Sequence, residues 1–309
     1  MSTLEQFLGP EPVAQAPPPQ HTTLLPQYLR HLSASSLGMV LRCPRQFQRR
    51  YMFHEKQRPG ESIVIGSFFH ETLDWNYQTK ILSFVDQPLS DAVQYLQDEA
   101  VPKVLEEEGG VENVLWDTDL DTARSDAERL MSAYYKTVVP RIQPMGTEER
   151  FEIRVPGVEV PVMGYIDLLA ATEVEMDTQN VWIPSRVIDT KSGKQATRKV
   201  KPSWQLQGRL YAQALNLPVE YHSVSRAKTP TIVTALESSD MVVPVPSEAE
   251  IANMNHTIKA AADYIDHLLR TYGATENEWP ALGAVPDFTR NMLPCDFCGW
   301  RKGCPAWAG

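Results

Sequence analysis

Apolar positions along this chain recur with a helical period, then with a strand period, and then with the two in alternation. Residues 1–23, rich in Pro, Gln and Thr with Pro17-Pro18-Pro19 near the centre, read as a disordered or extended tail. Ser33, Ser35 or Ser36 can cap a helix that begins with Leu37, Val40 and Leu41. Cys43-Pro44 breaks it, and Pro44 suits the first turn of a second helix carrying Phe47, Arg49, Arg50 and Tyr51. Gly66 to Glu71 opens another helix that runs to about Lys80. Residues 89–139 keep the helical period, with Pro102 forcing a break or a new start. Their stripe of Leu120, Ala123, Ala127, Leu130, Met131 and Tyr134 is core rather than chemistry.

From Glu148 the period falls to two. Phe151 to Val155 and Val158 to Val160 predict a hairpin around Pro156-Gly157, the second strand continuing through Gly164 to Ala171. Val181 to Thr190 predicts a third strand, Val219 to Arg226 a fourth and Thr231 to Leu236 a fifth. A helix from Trp204 to Leu217 separates the third from the fourth, so that pair is expected to be parallel. Ser247-Glu248-Ala249-Glu250 is a capping-box pattern opening a long helix that Gly273 ends. The fold expected is α/β: a central mixed sheet flanked by helices.

Charge sharpens this picture. The net charge of −10 over 309 residues looks wrong for a nucleic-acid binder. However, residues 86–130 hold 13 acidic and 3 basic side chains, so this segment carries the whole excess. Residues 86–140 therefore read as an acidic helical insertion beside the sheet. Arg42 to Arg58 holds six Lys/Arg against one Glu, and Arg186 to Arg209 holds seven against one Asp. The second patch favours phosphate contact because Asp189-Thr190-Lys191 lies inside it. No apolar run is long enough to span a bilayer, and the N-terminus lacks a secretory pattern, so a cytoplasmic protein is expected.

Within a strand, Asp189 and Lys191 share a face one pleat apart, which sets a carboxylate beside an ammonium at a strand end. Asp167 lies in the strand before, and Gln207 and Tyr211 stand at i, i+4 on the helix that follows. Taken alone, Asp-x-Lys is equally a surface salt bridge. Glu152 is either an additional acidic ligand or an exposed strand residue. The order Asp167, Asp189-x-Lys191, Gln207-x-x-x-Tyr211 resembles the PD-(D/E)XK nuclease superfamily in its RecB-like exonuclease branch. Ser-Leu…Cys-Pro-x-x-Phe-x-x-x-Tyr near the N-terminus and Gly66-x-x-x-His70 resemble the same branch.

The resemblance implies a restriction-endonuclease-like core and a Mg2+ or Mn2+ ion held by His70, Asp167, Asp189 and the Thr190 carbonyl. Lys191 would offset transition-state charge, and the Gln207/Tyr211 helix would cover the site. Such an ion can activate water, neutralise the pentacovalent phosphate and stabilise the leaving oxygen.

The four cysteines are Cys43, Cys295, Cys298 and Cys304. A C-x2-C-x5-C cluster plus one distant Cys-Pro favours metal over disulfides in a reducing compartment, and spacing leaves zinc and [4Fe–4S] equally open. The pattern also resembles the iron–sulfur staple of AddB-type and CRISPR-associated RecB-like nucleases. That resemblance implies a [4Fe–4S] cluster on all four, closing residues 286–309 onto Cys43 within one nuclease domain spanning 24–309.

The function so implied is a metal-dependent DNA exonuclease acting on single strands or duplex ends in recombination, repair or replication. No Gly-x-x-x-x-Gly-Lys-Ser/Thr loop is present, so any unwinding would come from a helicase or recombination partner. The other readings are an accessory DNA-processing or CRISPR-adaptation factor and a zinc-stapled DNA-binding module.

Overall fold

The computed structural model describes residues 23–176 and 179–281, with Cys298, Trp300 and Cys304 as single positions. The N-terminal tail up to residue 22, and Cys295, lie outside the described residues. Three short helices open the fold: α1 (Leu25–Tyr28), α2 (Ala34–Arg42) and α3 (Pro44–Phe47), the last running into a π-turn over Gln48–Met52. Of the three candidate caps, Ser33 does the work. Its hydroxyl accepts from the Ser36 amide at 3.1 Å, and Ser36 Oγ accepts from the Ser33 amide at 2.7 Å.

Next come α4 (Glu61–Ser83), α5 (Leu89–Tyr95), α6 (Val101–Glu107) and α7 (Leu120–Thr137). α4 begins five residues before Gly66, because Gly60 has the extended backbone of a cap. Pro102 does not break the chain's direction. It sits in the first turn of α6, and a π-turn over Leu96–Ala100 joins α5 to α6 with helical backbone on both sides.

The sheet is built from β1 (Gln143–Ile153), β2 (Val162–Met176), β3 (Gln179–Gly193), β4 (Val219–Ser225), β5 (Ile232–Val233) and β6 (Val242–Val243). The order is β1-β2-β3-β4-β5, with β6 paired to the other half of β4. Among the strand pairs of the described residues only β3–β4 is parallel, as the intervening α8 (Pro202–Leu215) dictates. The long α9 (Glu248–Tyr272) starts at the reciprocal Ser247/Glu250 cap. Three strand expectations need correction. Val158 to Val160 belong to a turn, with Gly157 at φ +75°, and the returning strand starts at Val162. β1 begins at Gln143, hidden in sequence by Pro144, Gly146 and the charged run Glu148-Glu149-Arg150. β5 is two residues long, and β6 was not anticipated.

Each face of the sheet carries its own core. On one, Phe151, Ile153, Val162, Val187, Val219 and Tyr221 pack with Leu37, Phe47, Leu210, Ile258, Ile265 and Trp279 from α2, α3, α8, α9 and the segment beyond. On the other, Leu168, Ala170, Ile188 and Val224 share a core with Ile65, Phe68 and Phe69 of α4 and with Leu96, Leu130 and Tyr134 of the acidic helical region. α4 thus covers this sheet face, and the acidic helices pack chiefly on α4, with α7 also reaching β4. No helix among the described residues is long and apolar enough to cross a membrane.

Candidate active site

The ladder between β2 and β3 ends at Leu168↔Ile188. Asp167 and Asp189 are the next residues on either side, at the point where the two strands part. Asp189 is wholly buried. Lys191 Nζ pairs with its Oδ1 at 2.8 Å, and Oδ2 is buried with no hydrogen-bond partner among the described residues. Burial pushes the Asp189 carboxyl well above the usual range; Lys191 opposes the shift and the nearby Asp167 adds to it.

α4 supplies the imidazole: His70 Nδ1 lies 3.7 Å from Asp167 Oδ2. The glycine one turn earlier has a packing reason. A Cβ on Gly66 would come within 3.0 Å of Ser192 Oγ, so a bare backbone lets α4 pass close over the end of β3.

α8 closes the other side. Gln207 Nε2 donates to Tyr211 Oη at 2.6 Å, and Tyr211 Oη donates to the Tyr165 carbonyl at 2.6 Å, two residues before Asp167. Burial raises the Tyr211 phenol above its ordinary range, and Asp167, Asp189 and Glu148 push the same way. It therefore stays a neutral donor that ties α8 to β2. Gly208 permits the approach: a Cβ there would meet Val243 at 3.0 Å and the Tyr221 ring at 3.1 Å.

Thr190 turns its side chain to the opposite face, where Oγ1 lies 3.4 Å from Tyr134 Oη. Only its carbonyl remains for the site. Behind it runs a polar chain in which Tyr134 Oη meets His222 Nδ1 at 2.5 Å and His222 Nε2 meets Glu220 at 3.0 Å. A cleft of about 750 Å³ opens on that side, lined by Arg141, Arg186, Glu220 and His222, and none of the Asp167–Lys191 group reaches it.

The structure thus brings His70, Asp167, Asp189, Lys191, Gln207 and Tyr211 to one place. Glu152 is elsewhere, held by Arg150 at 3.1 Å and Arg154 at 2.6 Å. The acidic residue that sequence reading missed is Glu148. It stands across from Asp167, between the pairs Thr147↔Leu168 and Glu149↔Ile166. Only the register reveals it: Ile153 pairs with Val162, which puts Glu148 five residues back opposite Asp167 five residues on.

Among the described residues, no three His, Cys, Asp or Glu side chains form a ready metal cage. The residues present nonetheless fit a hard divalent cation. They are carboxylate oxygens and one imidazole, and a buried carboxylate oxygen among them is left unpartnered.

The first basic patch is largely consumed by the fold. Arg45 pairs with Glu278, Arg49 with Glu55 at 3.0 Å, and Arg58 caps the carbonyls of Glu112 to Val114. Of the cysteines, Cys43 is buried at the α2–α3 junction, and Cys298 and Cys304 are partly exposed free thiols.

A mixed sheet whose parting strands carry Asp and Asp-x-Lys under a helix-borne His defines a class of phosphodiester-cleaving proteins. The family model of the PD-(D/E)XK nuclease superfamily matches residues 31–305, and the chain belongs to that superfamily. Two solved structures are similar to it. One is a candidate exonuclease of Eubacterium rectale at 11% identity and TM-score 0.47, covering 76% of this chain and 80% of that one. The other is the protein SSO0001 at 13% identity and TM-score 0.32, covering 77% of this chain and 97% of that one. Comparison with curated proteins finds none that matches.

Proposed function

We propose that this chain is a metal-dependent DNA exonuclease of the RecB-like branch, acting on single strands or duplex ends in recombination, repair or replication. The observation that carries this reading is Asp189: wholly buried, paired to Lys191, set next to Asp167, and with one oxygen unsatisfied. A carboxylate buried there beside a second carboxylate costs stability beyond what Lys191 offsets, and protonation or a bound cation relieves it. His70, Asp167, Asp189 and the Thr190 carbonyl would hold Mg2+ or Mn2+. When bound, such an ion supplies Lewis acidity to the phosphate and makes water a better nucleophile at neutral pH.

The chain's own groups do the rest. Lys191 carries a fixed positive charge that orients the water and offsets charge gathering on the phosphoryl oxygens. Tyr211 and Gln207 hold α8 over β2, which keeps Asp167 in register with the strand beside it. The phosphate strand would be gathered by the exposed basic side chains after β3, and a helicase or recombination partner would supply ends.

The test is digestion of end-labelled single- and double-stranded DNA with Mn2+. Mononucleotide or short-oligonucleotide release from labelled ends, stopped by a chelator and restored by Mn2+ or Mg2+, is the expected result. Cleavage that persists in excess chelator would refute metal dependence, and internal cutting of circular DNA would refute the exonuclease mode.

We further propose that Cys43, Cys295, Cys298 and Cys304 hold a [4Fe–4S] cluster that staples the chain ends. Support comes from the segment after α9, which docks beside the helix that follows Cys43. Gln48 Nε2 donates to the carbonyls of Ala274 (2.9 Å) and Asn277 (2.7 Å), and the Trp279 amide donates to Gln48 Oε1 at 2.8 Å. Anaerobically purified protein should be brown, and serine at any one of the four cysteines should bleach and destabilise it. A colourless preparation containing stoichiometric zinc would replace the cluster with zinc.

A further inference from the structure

We propose that the cleft behind Thr190, on the side turned away from Asp189 and Lys191, is a binding site for a nucleoside monophosphate. The proposal does not depend on the metal-site reading above.

Three observations converge on it. The first is shape. The cleft holds about 750 Å³, within the span usual for small-molecule sites. Two separate segments supply its apolar lining: Val138 and Ile142 just beyond α7, and Ile232 and Leu236 in and after β5. Leu236 is 75% exposed, a large apolar side chain left in water beside the opening. Aliphatic groups from two directions suit the faces of a flat ring.

The second is charge. Lys136, Arg141 and Arg186 line the cleft, against the carboxylates of Glu220 and Glu237. Both carboxylates are already engaged. Glu220 Oε1 is shared by His222 Nε2 and the Ala235 amide, each at 3.0 Å, and its Oε2 pairs with Arg186 Nε at 3.1 Å. Glu237 Oε2 accepts from the Thr234 amide at 2.7 Å and the Thr234 hydroxyl at 2.8 Å. Lys136 and Arg141 are exposed, and neither side chain has a hydrogen-bond or ion-pair partner among the described residues. A concave surface with an excess of one sign concentrates its field on a ligand. Two guanidinium forks and an ammonium suit a dianionic phosphate, whose oxygens accept paired N–H bonds. Guanidinium planes also stack on bases.

The third is preorganisation. Burial keeps the Tyr134 phenol protonated, so it donates to His222 Nδ1 and leaves Nε2–H for Glu220. That buried chain holds Glu220, and Glu220 holds Arg186. One cation of the cleft is thus fixed on folding, which lowers the ordering cost of taking up a ligand.

The test is calorimetric titration of the full chain with deoxyadenosine 5′-monophosphate, deoxyadenosine or inorganic phosphate, in EDTA at low ionic strength. Wild type is compared with Lys136→Gln, Arg141→Gln and Lys191→Ala, each checked for folding by circular dichroism. The monophosphate should bind at one site per chain, and both the nucleoside and inorganic phosphate should bind about tenfold more weakly or worse. Lys136→Gln and Arg141→Gln should each weaken the monophosphate about tenfold, the scale of one charge-assisted hydrogen bond. Both residues are exposed and unpaired, so their loss should leave the fold intact. Lys191→Ala should bind like wild type.

No binding of the monophosphate to wild type would overturn the proposal. Inorganic phosphate binding as tightly would remove the nucleoside from it. Affinity lost in Lys191→Ala and kept in Arg141→Gln would move the nucleotide to the Asp189–Lys191 side and overturn the cleft assignment. None of these results bears on metal-dependent cleavage, which the DNA digestion tests separately.

Discussion

Lys191→Ala is expected to lower single-turnover cleavage of end-labelled DNA by about 10²–10³-fold, the usual cost of removing one fixed group aimed at transition-state charge. DNA affinity, measured by fluorescence anisotropy in Ca2+, should fall little, because one partly exposed amine adds little to a phosphate surface. The variant has a second consequence. It leaves the wholly buried Asp189 carboxylate without its 2.8 Å partner. Removing one member of a buried pair costs more than the pair contributed. Lys191 is about a quarter exposed, so the expected loss is toward the lower end, on the order of 1–3 kcal/mol.

Asp189→Asn in the same chain should recover that stability and none of the activity. The pair of variants thus separates a folding defect from a chemical one. Cleavage by Lys191→Ala at more than a tenth of the wild-type rate would remove Lys191 from the chemistry.

Trp279→Ala should be the most damaging single change to the fold outside the site. The indole is wholly buried and stacks on Phe47 at a centroid distance of 5.9 Å. Its Nε1 donates to the Gly273 carbonyl at 2.8 Å. Truncating a buried Trp to Ala costs about 3–5 kcal/mol. The loss should appear as a lower denaturant midpoint with an unchanged slope. Because Trp279 also docks the last described segment onto the helix after Cys43, the variant should lose any bound iron before it loses secondary structure. A midpoint shift below about 1 kcal/mol equivalent would mean that this segment contributes little to the fold.

The helices and the central strands were readable because their patterns obey one rule at a time. The Ser247/Glu250 cap, the Leu120–Tyr134 stripe and the parallel β3–β4 pair follow from local chemistry and connection length. Asp189 and Lys191 were readable because two residues in a strand must share a face. What stayed hidden depends on neighbours far along the chain. β1 breaks the alternation rule at Pro144, Gly146 and Glu148 and is a strand only because β2 pairs with it. The short β6 exists only as a partner for β4. Glu152, the acidic residue that sequence reading weighed, is removed from the site by two arginines on its own strand side. That Glu148 lies across from Asp167 is known only once the register of the hairpin is known. The buried state of Asp189 was likewise invisible, since it depends on β4 pairing beside β3, where Tyr221 lies opposite Asp189.

The docking of the chain's later segments on its earliest helices has a consequence for synthesis. Leu25, Leu37 and Phe47 belong to the same core as Ile265, Leu268 and Trp279. A ribosome delivers the first group more than two hundred residues before the last, so the opening helices emerge with an apolar side that nothing yet covers. Contacts of such long range form late and slowly. Until Trp279 clears the exit tunnel, the nascent chain is expected to lean on chaperones, and premature termination anywhere in α9 would leave that side permanently bare.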